Sequence, residues 1–345
     1  MWYVRVYYAV KPLMPRWLQM ILRKIRIKRM LPSYTNVWPI YQEAGKTPPG
    51  WPGWPEKKKF ALLLTHDVET IKGRDRCQQV MDIEEQFGFR SAFYFVPERY
   101  SVSPELRSHL VSRGFEVGVH GLKHDGKLYS TKKEFTKKSI EINKYLREWN
   151  SPGFSSPCML HNLEWTLDLN IKYDISTYDT DPFEPQGGCI GTVFPFCIQG
   201  SSNGTYYVEI PYTLPQDFTL FVIMEQTNID TWVKKLDWIV EHGGMVHLKT
   251  HPDYLNFGNN GKACTEEYPI NLYTSFLKYI KTKYAGQYWH VLPKDMAQFC
   301  SATAINNGTS TPLKPSDILC RTCKRLVDQK RITFFAPCGT NGHES

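Results

Sequence analysis

From Phe60 to Phe299 the chain alternates short apolar runs with charged stretches of helical period. FALLLT (60–65), SAFYFV (91–96), FEVGVH (115–120), YDISTYD (173–179), TVFPFCI (192–198), YYVEIPYT (206–213), MVHLKTH (245–251) and QYWHVL (287–292) read as strands. Between them, IEEQFGF (83–89) ends a helix, and helices are expected over 103–114, 131–150, 228–244 and 271–286. Ser103 is placed to cap the first of these four and Gly114 to stop it. This alternation implies parallel βα units, and its length suits a barrel. In such folds chemistry gathers at the C-terminal ends of strands, where Asp67, His120 and His251 fall.

The barrel segment, residues 60–300, is preceded by a basic arm and linker (1–59) and followed by a linker and Cys-containing tail (301–345). Residues 1–30 hold eight cations and no acid, which accounts for the whole formal net charge of +8. The arm mixes those cations with aromatic and aliphatic residues. Peripheral contact with an anionic membrane surface is one expectation for it. A helix packed on the domain is the other. Basic residues confined to one arm, with no accompanying motif, argue against nucleic acid. TPPGWPGWPEKKK (47–59) cannot form a regular element, and its tryptophans are expected to pack on the domain. No apolar run reaches the length of a transmembrane helix and none reads as a signal peptide, so the expected location is cytoplasmic, with residues 1–30 at the inner membrane surface. The nine cysteines, odd in number and scattered, are expected to be mostly buried thiols.

Three short stretches carry candidate chemistry. LLLTHDVET places Asp67 and Glu69 just past a strand, two apart and so on one side of extended chain. One could act as a base and the other bind a metal. FEVGVHGLKHDG places His120 at a strand end and His124 four residues on. Gly121 permits a tight reversal that brings the two imidazoles together. Two histidines and a carboxylate form a common divalent site with room for water and substrate. Asp125 could orient a ligand imidazole or cap the next helix. HLKTHPDY fixes His251 at a strand end before Pro252, a position suited to general acid catalysis. His247, inside the strand, reads as structural.

Acid pair, HxxxH and His-Pro, in that order and each after a strand, resemble the polysaccharide deacetylase family from about Phe60 to about Phe299. The resemblance implies an α/β fold, a distorted (β/α) barrel with seven or eight parallel strands. It implies a metal-dependent hydrolase that removes acetyl groups from N-acetylated sugars, with Zn²⁺ the expected divalent ion. It assigns Asp67 as general base, Glu69, His120 and His124 as metal ligands, and His251 as general acid. SPGFSSPCML (151–160) lies where the family has Arg-x-Pro, so Ser155 and Pro157 stand in supporting positions. STYDTDPFEPQ (176–186) lies where the family has an aspartate that tunes the acid, which points to Asp179 or Asp181.

Two departures stand out. The second aspartate of the common motif is Val68 here, and Glu69 takes its role as in a known variant. The motif arginine is Ser155, which leaves Asp67 without its usual cation. Ser155→Arg is therefore expected to raise turnover. The partners implied are an acetylated glycan or a glycolipid precursor. The rival readings are another C–N hydrolase acting on cyclic amides, and a lapsed enzyme that only binds carbohydrate. At the C-terminus, Cys320, Cys323, Cys338 and His343 could form a small zinc knuckle. The alternative is a loosely ordered tail after a linker at 301–316.

Overall fold

The computed structural model describes residues 15–185, 189–200, 205–258 and 266–307. The C-terminal tail with Cys320, Cys323, Cys338 and His343 lies outside the described residues, as do residues 1–14 of the arm.

Its strands are β1 (Phe60–Val68), β2 (Ala92–Phe95), β3 (Glu116–His120), β4 (Gly153–Ser155), β5 (Tyr173–Asp174), β6 (Phe196–Gln199), β7 (Tyr206–Glu209), β8 (Met245–Thr250), β9 (Leu255–Asn256), β10 (Tyr268–Pro269) and β11 (Tyr288–His290). Its helices are α1 (Arg16–Met30), α2 (Ile71–Phe87), α3 (Pro104–Ser112), α4 (Lys132–Glu148), α5 (Asp230–Glu241), α6 (Ile270–Lys283) and α7 (Pro293–Asn307).

Nine strands form one sheet in the order β11-β1-β2-β3-β4-β5-β7-β6, with β8 on the other edge of β1. All pair in parallel except β6, which lies antiparallel to β7. The expected α/β fold with mostly parallel strands is present as a half-barrel, and one strand, β6, is reversed where YYVEIPYT follows TVFPFCI. The curled sheet comes back on itself where the amides of Thr213 and Leu214 reach the His247 carbonyl of β8. Every residue of β1 and of β8 is buried, as parallel strands covered on both faces require.

The helices begin and end where their sequence says they must. Thr70, Ser103 and Thr131 accept amide hydrogen bonds at the starts of α2, α3 and α4. Gly88 stops α2 in the left-handed region. The helix α7 continues through residues 301–307, which had been expected to be linker. The apolar runs 173–179 and 206–213 form only short strands, and beyond them backbone hydrogen bonds lead to a Tyr178–Tyr212 bridge.

The basic arm is part of the fold from Arg16 on. Met20 and Ile27 of α1 are buried in the main core. Arg16 makes a bidentate pair with Glu266, Lys24 pairs with Glu225, and the Arg23 guanidinium lies over the Phe218 ring at 5.3 Å. The tryptophans of the linker pack as expected. Trp54 is buried between Phe194 and Trp289 and donates to the Gly243 carbonyl. Cys77, Cys197 and Cys300 are free thiols, the first and last of them buried. Cys189 is disulfide-bonded, so the expectation of thiols fails at that residue. Among the described residues no helix is long and apolar enough to cross a membrane.

Candidate active site

Strand register brings the predicted residues together. His120, the last residue of β3, is paired with Ser155, the last of β4. Thr65 of β1 is paired with Lys249 of β8, and Asp67 lies two residues further along the same face. The alternation turns His66 to the opposite face, where it bonds Glu84 and Thr250 at 2.8 Å each.

The reversal after β3 takes the expected form. Gly121 sits at φ +60°, and a Cβ there would stand 2.5 Å from Pro157 Cδ. Pro157 therefore supports the site by packing on the turn. His124 itself is held at φ +54°, a strained setting for a residue with a side chain. The two imidazoles finish 5.3 Å apart between ring centroids. Asp125 faces away, bonding the Lys127 amide and Lys138, so it caps the turn and orients neither ring.

Asp67 is buried and held from two sides. The Ser155 hydroxyl donates to its Oδ1 at 2.9 Å, and the Lys249 ammonium stands 3.2 Å from its Oδ2. Burial alone would raise this carboxyl. His120, Lys249 and His251 outweigh that and pull it down to about 2. His120 is itself held down at about 4 by burial, so near neutral pH the cations facing Asp67 are Lys249 and His251. Lys249 was not foreseen. A lysine in a fully buried strand is the signal that could have found it, because a buried ammonium must have a partner.

His251 also has a partner the sequence did not reveal. Its Nδ1 lies 2.7 Å from Asp217 Oδ1, and its backbone N–H donates to Asp217 Oδ2 at 2.8 Å. The Phe218 amide and the Tyr268 hydroxyl donate to the same carboxylate. Burial would lower the imidazole's pKa. The Asp217 charge and hydrogen bond override it, with help from Glu69 and Asp67, and raise it to about 10. The residues expected in this role are committed elsewhere. Asp179 is paired with the buried Lys235 at 2.8 Å, and Asp181 accepts from the Phe183 amide and the Tyr212 hydroxyl. They stand two residues apart with partners of their own, whereas Asp217 comes from the segment that caps a π-helical turn at 218–223.

Glu69 completes the cluster. Its Oε1 lies 3.1 Å from His124 Nε2, and its Oε2 accepts from the Tyr254 hydroxyl at 2.8 Å. Burial pushes this carboxyl up, and the facing His124 imidazole brings it well below the usual range. His247 is structural as read, bonded to Thr65 and the Pro211 carbonyl.

Residues 55–154 match a family model described as polysaccharide deacetylase. Those residues run from β1 into β4, and the match supports a polysaccharide deacetylase assignment for that part of the barrel. Among solved structures, the fold is similar to that of a Mycobacterium smegmatis protein assigned as a polysaccharide deacetylase. The identity is 18%, the TM-score 0.54, and the match covers 74% of this chain and 95% of that one. It is also similar to PuuE allantoinase at 17% identity and TM-score 0.56, covering 75% and 95%. A third neighbour, from Pseudomonas aeruginosa PAO1 and assigned as a polysaccharide deacetylase, shows 15% identity and TM-score 0.54, covering 74% and 93%. No curated protein matches the chain.

The deacetylase family generally uses a divalent metal. Among the described residues, no three His, Cys, Asp or Glu side chains stand in a metal-holding arrangement. The donors Glu69, His120 and His124 nonetheless fit such an ion chemically. His120 Nδ1 lies 3.0 Å from the Ser155 carbonyl, which requires N–H there and leaves Nε2 as the lone-pair nitrogen. The His124 Nε2 is buried without a hydrogen bond of good geometry, facing the Glu69 carboxylate.

Proposed function

We propose that this deacetylase-family chain is a metal-dependent hydrolase that removes acetyl groups from N-acetylated sugars of a polysaccharide or glycolipid precursor. The observation that carries the reading is the division of roles between two buried groups. Asp67 is held ionised, and His251 is held protonated, close enough that each charge bears on the other. Amide hydrolysis needs such a pair, a base to accept a proton from water and an acid to give one to the departing nitrogen.

Glu69, His120 and His124 are the residues that would hold the divalent ion, zinc by the chemistry of two imidazoles and a carboxylate. When bound, such an ion lowers the pKa of water and polarises the acetyl carbonyl. Asp67 takes the proton from the attacking water on its carboxylate. The Nδ1 of His251 is engaged by Asp217, so Nε2 is the atom that delivers a proton as the C–N bond breaks. Tyr254 holds the Glu69 carboxylate in place through its hydroxyl. The same acid and base would open a cyclic amide, the second reading, which the PuuE allantoinase likeness in fold keeps in view.

The test is acetate release from N-acetylglucosamine oligomers by zinc-loaded protein, with and without chelator, beside a cyclic amide panel. Chelator-sensitive acetate release is expected. A folded, zinc-loaded protein that releases acetate from no acetylated sugar sinks the proposal.

The glycolipid form of the substrate is supported by α1. Trp17, Ile21, Leu22 and Ile25 form an exposed apolar stripe on its outer face, and it ends in exposed Lys28 and Arg29. An apolar stripe with flanking cations suits the surface of an anionic bilayer. Cosedimentation with phosphatidylserine vesicles is expected to fall in a Trp17→Glu/Ile21→Glu variant and at high salt. Undiminished binding of the variant rules α1 out as the contact.

A further inference from the structure

The site contains a buried lysine to which neither the motif nor the proposed chemistry assigns a role. We propose that Lys249 is the positioning residue for Asp67, delivering from β8 the fixed cation that the Arg-x-Pro motif would deliver from β4. This rests on the reading of Asp67 as the base.

The geometry is that of an ammonium with every proton placed. Lys249 Nζ is 3.2 Å from Asp67 Oδ2, 3.0 Å from Ser155 Oγ and 3.0 Å from the Ile175 carbonyl. Three N–H groups thus face three oxygens. The Met159 sulfur at 3.4 Å closes the remaining side. Ser155 completes the unit. Its hydroxyl accepts from Lys249 and donates to Asp67 Oδ1, so the two carboxylate oxygens are held by two different groups. Its carbonyl meets the His120 ring, so β4 ties the base to the histidine pair.

The arrangement also explains why position 155 is a serine. A side chain starting from the Ser155 Cβ points at the Lys249 ammonium. An arginine there would fill the same volume and set a second cation against a buried one. The expectation that Ser155→Arg raises turnover is therefore reversed. One cation suffices, and it can come from either strand but not from both.

The test is an exchange of the cation between strands. Four full-length proteins are compared, Lys249→Met, Ser155→Arg, Lys249→Ala and the double variant Ser155→Arg/Lys249→Ala, by thermal melting and by kcat and KM for acetate release. Lys249→Met is expected to lower kcat on the order of a hundredfold with KM within about threefold, since a misplaced base loses general-base catalysis and leaves binding intact. Ser155→Arg alone is expected to lower the melting temperature. The double variant is expected to melt above both Ser155→Arg and Lys249→Ala, and to recover at least about tenfold in kcat over Lys249→Ala. Additive losses in the melting temperature overturn the proposal, and so does a Lys249→Met protein with wild-type kcat. The melting exchange needs no turnover, so an inactive wild type would refute the proposed reaction without touching this inference. If Lys249→Met does not fold, the comparison of Ser155→Arg with the double variant still decides.

Discussion

Replacing Asp217 with asparagine should move the acid limb of the reaction without touching the base. The wild-type imidazole of His251 sits at about 10 against an ordinary 6.5. At about 1.4 kcal/mol per pH unit, that difference is on the order of 5 kcal/mol of preference for the protonated ring. Asp217 is the largest contributor to the rise, ahead of Glu69 and Asp67. The asparagine oxygen can still accept one hydrogen bond, but the charge is lost and burial then acts with less opposition. The imidazole should fall by about 2 to 3 pH units. The assay is the pH profile of kcat/KM for acetate release, whose alkaline limb should move from near 10 to about 7–8. Titration of the His251 ring by NMR in metal-free protein gives the same shift independently of turnover. Stability carries the matching sign. A raised folded pKa stabilises fully below 6.5 and loses that contribution as pH rises toward 10. In Asp217→Asn the loss should therefore begin and end at lower pH. Tyr268→Phe, which removes only one donor to the carboxylate, should leave the limb within about half a pH unit. An alkaline limb that stays near 10 in folded Asp217→Asn, together with an unmoved ring titration, refutes the assignment of Asp217 as the partner that sets the acid.

The remaining expectations concern the metal and the turn. Glu69→Gln and His124→Ala should each weaken zinc binding, measured calorimetrically, by at least about tenfold, whereas Asp125→Asn should leave it within about threefold because that carboxylate caps a turn. Gly121→Ala meets both a left-handed φ and the Pro157 ring, and should cost on the order of 2 kcal/mol by chemical denaturation. A loss no larger than that of an ordinary surface substitution would mean that the turn can open.

What the sequence made legible follows from what neighbours along a chain can encode. The alternating apolar runs fix parallel strands because both faces of each strand are covered. His120, His124 and Asp67 were readable because strand ends and a glycine turn are local features. Asp217 was not, since its partner lies 34 residues away at the end of another strand, and nothing beside it marks the meeting. Asp179 occupied the motif position and offered the right chemistry, yet a lysine on α5, Lys235, claims it. The three-residue strand β4 was also missed. GFS is too short for a period, and its place in the sheet comes from pairing with β3 and β5.

Lys249 is the instructive case, because packing alone gives no reason for it. Removing an ammonium and a carboxylate from water costs several kcal/mol per ion, and a well-packed apolar pair of the same volume is often as stable. A core selected for stability alone would therefore do as well with a methionine or leucine at this point in β8. The lysine instead spends its three protons on Asp67, Ser155 and a backbone carbonyl, and it is fully buried while doing so. Ser155 then looks less like the loss of an arginine than like the space that a cation on the opposite strand requires. A lapsed site has no need to keep a buried charge aimed at its base. The direction of the melting exchange between positions 155 and 249 separates these two histories by a physical criterion, the coupling of two charges that cannot both be present.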